Sequence, residues 1–116
     1  MFKQRDIITI NFEPSKGHEI YKRRPALVIS RTKYNLSTPF VIVCPITSTQ
    51  SRRPYLVPLP SQANHNLKKP SQLDTSQIYS LDVTKEGHRN PKLIGNLDLP
   101  TFLYVIQYVQ NDFGFH

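Results

Sequence analysis

The sequence is poor in the residues that most often announce a chemistry. Among 116 residues there is one cysteine, Cys44, and no tryptophan. A lone thiol excludes an internal disulfide and a cysteine-based zinc site. Cys44 therefore reads as a small buried hydrophobe. The four histidines are dispersed, so no metal and no cofactor are expected. No apolar run approaches the ~20 residues that span a bilayer. Lys3, Gln4, Arg5 and Asp6 interrupt any apolar signal core at the N-terminus. The expectation is a cytoplasmic chain with no membrane partner. Acidic residues are also scarce: eight against 15 Lys and Arg, for a net charge of +7. Residues 93–116 hold no Lys or Arg at all, so the basic character belongs to the first three-quarters of the chain. That balance favours a polyanionic partner, either nucleic acid or an acidic protein.

What is present reads as one domain over residues 1–116, with ten prolines that suit a loop-rich fold. Residues 6–12 alternate well enough for a strand, and residues 25–31 form a second, apolar and β-branched one. Residues 32–39 make a polar connection with room for one helical turn. Residues 40–44 are apolar on both faces, hence a central strand, which Pro45 breaks. Residues 54–60 carry three prolines and suit an edge strand. Residues 61–70 are the longest expected loop, 71–83 hold one strand or two short ones, 84–91 turn around Gly87, and 92–97 form a last strand. Asp98 then reads as a helix N-cap with Pro100 in the first turn. Leu99, Phe102, Leu103, Ile106, Val109 and Phe113 follow at helical spacing, and Gly114 ends the helix. The fold class expected is α+β and mostly β: a small antiparallel barrel with a C-terminal amphipathic helix.

The segment 13–31 organises the chemistry. Residues 13–24 are polar and carry both signs of charge, whereas Pro25 to Ser30 is strand-like. Arg24 sits at the seam, where Pro25 fixes its own φ and extends the residue before it. A guanidinium held there suits a phosphate or carboxylate. The run Phe12-Glu13-Pro14-Ser15-Lys16-Gly17-His18-Glu19, followed by Arg24-Pro25-Ala26-Leu27-Val28-Ile29-Ser30, and then Val43-Cys44-Pro45-Ile46-Thr47-Ser48, resembles the MazF/PemK family of bacterial toxin endoribonucleases, including its Kid branch. Weaker matches are residues 55–59, residues 76–81 and the final helix.

That resemblance implies an SH3-like barrel of the plasmid-maintenance toxin type and a homodimer with a groove for single-stranded RNA. It also implies a cognate acidic antitoxin that blocks the groove. It implies catalytic roles for Arg24, Thr47 and His18 or Glu19. Arg24 would be the fork on the phosphoryl oxygens, Thr47 a hydroxyl at the strand end, and His18 or Glu19 the base. Lys16, Lys22, Arg23, Arg52 and Arg53 are candidate phosphate contacts on the two flanking loops. Tyr21 is a stacking platform, and Ser48 and Gln77 are further RNA contacts. The chain departs from the family at Arg5, at Asn11, at Ser76 (an Asp in the Kid branch) and in lacking tryptophan. The expected reaction is metal-independent, sequence-selective cleavage of single-stranded mRNA to 2′,3′-cyclic phosphate and 5′-hydroxyl ends. Two rivals are a non-catalytic gyrase poison of the same fold and a catalytically dead nucleic-acid-binding relative.

Overall fold

The computed structural model describes residues 1–13, 23–60 and 65–114. In chain order the elements are β1 (Asp6–Asn11), β2 (Arg23–Val28), α1 (Thr32–Ser37), β3 (Phe40–Thr47), β4 (Leu56–Pro58), β5 (Gln72–Asp74), β6 (Tyr79–Asp82), β7 (Lys92–Asn96) and α2 (Leu99–Phe113). A 3-10 turn at Lys85–Gly87 precedes β7. All pairings among these strands are antiparallel. The order is β4-β5-β3-β2-β1-β7, with β6 also beside β3. The mostly-β antiparallel fold with a C-terminal helix is as expected, but among the described residues the end strands β4 and β7 do not pair, so the sheet is open in place of the expected closed barrel. In place of closure, α2 packs Phe102, Val105 and Val109 against Ile7, Leu27, Cys44, Ile46, Val57 and Leu73. A helix seals the face that strand closure would otherwise cover.

β3 runs straight through Pro45 instead of stopping at Cys44. The reason lies in which edge the proline faces. Ile42 O accepts from Ile29 N at 2.9 Å, so Ile42, and with it Cys44, turns its polar groups toward β2. Pro45 therefore directs its missing N–H to the opposite edge. There β6 has already ended at the Val43–Tyr79 rung, and β5 begins only at Ile46–Leu73. The proline sits in the gap between two partners, where no ladder bond is lost.

The sheet is buried on both faces, by alternation. Ile8, Ile10, Ala26, Val28, Val41, Val43 and Leu81 form one cluster. Ile7, Leu27, Cys44 and Ile46, of opposite parity, join the helix side. Asp98 caps α2 by accepting from Thr101 N at 3.0 Å, and Gly114 ends it at φ 76°. The buried stripe is narrower than its spacing suggests: Phe102, Val105 and Val109 face the sheet, while Leu99 and Leu103 are each 51% exposed. The apolar arc of α2 is wider than the sheet can cover, and the excess flanks the contact. Gly87 is fixed by close approach, since a Cβ there would lie 2.7 Å from Asp82 O.

Candidate active site

The pairing of β2 with β3 runs Ala26↔Pro45, Leu27↔Cys44 and Val28↔Val43. Continued two rungs in the same register, it sets Arg24 opposite Thr47. Arg24 shares parity with Ala26 and Val28, and Thr47 with Val43, so both side chains leave the sheet from one face. They line a common cavity of about 470 Å³ together with Ser48, Lys68 and Lys69. β2 starts two residues earlier than the sequence indicates, so Arg24 stands on the strand itself, one rung inside its end.

Arg24 is exposed, and no hydrogen bond ties its guanidinium to another described residue. Thr47 closes β3, and its Oγ1 accepts from Thr49 N at 3.1 Å. That bond uses a lone pair and leaves the hydroxyl proton to be donated into the cavity. The following segment is fastened to β5 by Gln72, whose buried carboxamide accepts from Ser51 N at 3.2 Å and donates to Ser51 O at 3.0 Å. Gln50 adds a bond to Pro70 O at 3.0 Å. Arg52 and Arg53 stand exposed beyond this anchor, outside the cavity wall.

A second cavity of about 270 Å³ opens on the other side of Arg24, lined by Phe12, Glu13, Pro45, Gln77 and Tyr79. Phe12 and Tyr79 meet edge to face with centroids 4.9 Å apart. Gln77 is oriented from both ends: its Nε2 donates to Asp74 Oδ2 at 2.7 Å, and its Oε1 accepts from Tyr79 OH at 2.5 Å. One N–H and one lone pair of the amide are left over. Ser76, at the position where the Kid branch has Asp, donates through N and Oγ to Asp74 Oδ1, at 3.0 and 2.6 Å. It caps a neighbouring carboxylate and does not itself replace one.

Arg23 differs from its neighbour. It leaves the opposite face of β2 and borders the 470 Å³ cavity from there, and its guanidinium donates to Asn11 Oδ1, Thr9 O and Thr9 Oγ1 at 3.2, 3.2 and 2.9 Å. Burial pushes its pKa below the usual arginine value. Lys16, His18, Glu19, Tyr21 and Lys22 lie outside the described residues. Sequence reasoning places Lys68 and Lys69 in a polar loop and Phe12 at a strand end, and gives none of them a role at the site. The paired lysines are visible as charge, but nothing local says which cavity a loop borders. Among the described residues no cluster of three His, Cys, Asp or Glu could hold a metal ion. No helix among them is long and apolar enough to cross a membrane.

Comparison with known proteins bears on the family and the fold. The chain is similar to the endoribonuclease toxin MazF of Escherichia coli (strain K12), 30% identical over 87 residues, which is 75% of this chain and 78% of that protein. Its fold matches a crystal structure of MazF from Deinococcus radiodurans at TM-score 0.77 and 28% identity, covering 97% of this chain and 96% of the other. It also matches a MazE–MazF crystal structure from that organism at TM-score 0.79 and 27% identity, covering 98% and 96%. A family profile described as PemK-like, MazF-like toxin of type II toxin-antitoxin system matches residues 3–111. On both counts, the chain belongs to the PemK-like, MazF-like toxin family of type II toxin–antitoxin systems.

Proposed function

We propose that this toxin cuts single-stranded RNA, chiefly mRNA, without a metal, by internal transesterification. The 2′-hydroxyl attacks the adjacent phosphorus, the P–O5′ bond breaks, and a 2′,3′-cyclic phosphate and a 5′-hydroxyl result. A base takes the 2′ proton and a donor supplies one to O5′. Charge on the phosphorane is held by preorganised donors. The observation that carries this reading is the rung that sets Arg24 opposite Thr47 over one cavity. Arg24 offers a permanently charged fork for the phosphoryl oxygens, and Thr47 a hydroxyl proton within the same space. Lys68 and Lys69 on the cavity wall extend the positive track along the RNA backbone. His18 and Glu19 remain the candidate bases, and Lys16, Lys22, Arg52 and Arg53 the loop contacts. The cavity beside Gln77 has the size and lining for one unpaired base, with Phe12 and Tyr79 as its aromatic wall.

The same reading includes a homodimer and an acidic antitoxin. Supporting the dimer, the chain alone leaves Leu93, Leu99, Leu103, Tyr104 and Phe113 substantially exposed. The net charge of +7 suits an acidic inhibitor competing with RNA. Purified protein incubated with mixed-sequence RNA in excess EDTA should give discrete cuts ending in cyclic phosphate. Arg24→Ala should lower the rate ~100-fold or more. No cuts, or unchanged cuts in the variant, would sink the nuclease reading, and a parallel gyrase supercoiling assay would expose the rival activity.

A further inference from the structure

The turn before β7 borders neither cavity at Arg24, yet it reaches the site through Arg89. The half-buried Arg89 side chain donates from Nη1 to the carbonyls of Asn11 and Phe12, at 3.0 and 2.5 Å. Its own carbonyl accepts from Asn11 N at 2.9 Å and from Arg23 Nη1 at 3.5 Å. Arg23 closes the arrangement on Asn11 and Thr9. Two guanidinium groups thus bind the last rungs of the β1–β2 ladder, that of Arg89 from the β7 side and that of Arg23 from β2 itself. The register there is Ile10↔Arg24 and Asn11↔Arg23, so the fastening lies one rung beyond Arg24.

The backbone around Arg89 is arranged for this task. His88 and Asn90, on either side of it, both take the left-handed conformation, at φ 57° and 48°. Non-glycine residues in that region are held there by their surroundings. The double bend lets one residue present its carbonyl and its guanidinium to the same strand end. A ladder end is where strands fray first, and a misplacement of about 1 Å can cost on the order of 100-fold in rate.

We propose that Arg89, acting with Arg23, is a positioning residue for Arg24. Arg89 borders neither cavity, and its guanidinium is spent on the carbonyls at the exit of β1; Arg23 lines the 470 Å³ cavity beside Arg24, with its guanidinium tied to Thr9 and Asn11. This inference rests on the nuclease reading for its kinetic readout, but not for its structural one. Arg89→Ala should lower kcat for RNA cleavage about tenfold or more while KM changes less than about twofold. The slope of log affinity against log salt should stay at the wild-type value. Arg89→Lys, which can still donate to both carbonyls, should recover a substantial part of kcat. Native-state hydrogen exchange gives a test free of activity and of variants: the wild-type Asn11 amide should be protected as strongly as the inner rungs of β1.

Other results overturn the proposal. A kcat unchanged in Arg89→Ala would do so, as would a Lys variant no better than Ala. A rise in KM with a salt slope reduced by about one would make Arg89 a phosphate contact instead. Fast exchange at Asn11 would show the fastening to be open, whether or not Arg89→Ala folds. Should wild-type protein cut no RNA, the nuclease reading fails by itself, and hydrogen exchange at Asn11 still tests the fastening.

Discussion

Gln72→Leu removes two of the hydrogen bonds on which the cavity wall rests while keeping a side chain of similar size. Gln72 is 6% exposed, and its amide makes two reciprocal bonds to the main chain of Ser51, at 3.2 and 3.0 Å. A net hydrogen bond contributes about 0.5–1.5 kcal/mol, so the pair sets an upper range of about 1–3 kcal/mol. Ser51 is only half-buried, so water recovers part of that on loss of the amide. The expected destabilisation is about 1.5 kcal/mol, or a fall in Tm of about 6 °C for a domain of this size. Urea denaturation followed by far-UV circular dichroism measures it, at fixed protein concentration because self-association would shift the midpoint. The m-value should not change, since the fold is retained. RNA cleavage should also fall, because Ser51 anchors the segment that leaves Thr47. A midpoint indistinguishable from wild type would refute the reasoning: the carboxamide bridge would then be incidental to the loop.

Burial, and secondarily the negative charge of Asp74, pushes the Cys44 thiol up to about 12, so it should resist alkylation at pH 8 in the native protein and react at the ordinary rate in urea. The hydroxyl and backbone N–H of Thr101 hold the Asp98 carboxyl below its usual range, and Thr84 does the same for Asp82. Their folded values are depressed, so their contribution is fully present above the unfolded value of about 3.9 and is lost as pH falls through the folded value. Tm measured between pH 2 and 6 should fall on the acid side, and Asp98→Asn, which can still cap the helix, should flatten that fall. Gly87→Ala should destabilise by about 1–3 kcal/mol, because the added carbon meets a main-chain oxygen that cannot rotate away. Equal melting curves for Gly87→Ala and wild type would show that the β6–β7 turn yields freely.

How much is legible in the residues depends on whether the deciding signal is local. The start and stop of α2 are, because Asp98, Pro100 and Gly114 act within one turn of themselves. The burial of Val105 in place of Leu103 is not, because the sheet beneath the helix chooses the stripe. β3 passes Pro45 only because two distant strands, β5 and β6, leave a gap on that edge, and nothing near Pro45 announces them. The joint placement of Arg24 and Thr47 comes, in the sequence, from family resemblance, whereas the structure derives it from register. Arg23 and Arg24 make the point most sharply. As sequence they are two identical cations, and both suit RNA. On a strand they must point to opposite faces: Arg23 is tied to Thr9 and Asn11 at the edge of the first cavity, whereas Arg24 opens onto both cavities. A strand beginning at Pro25, as the sequence suggests, leaves both arginines in a loop where no parity applies. Placing the strand start at Arg23 is enough to separate their roles, and a one-residue slip of β2 against β1 would exchange them. The arginines are told apart by the register at the end of this ladder, the same register that Arg89 is proposed to hold.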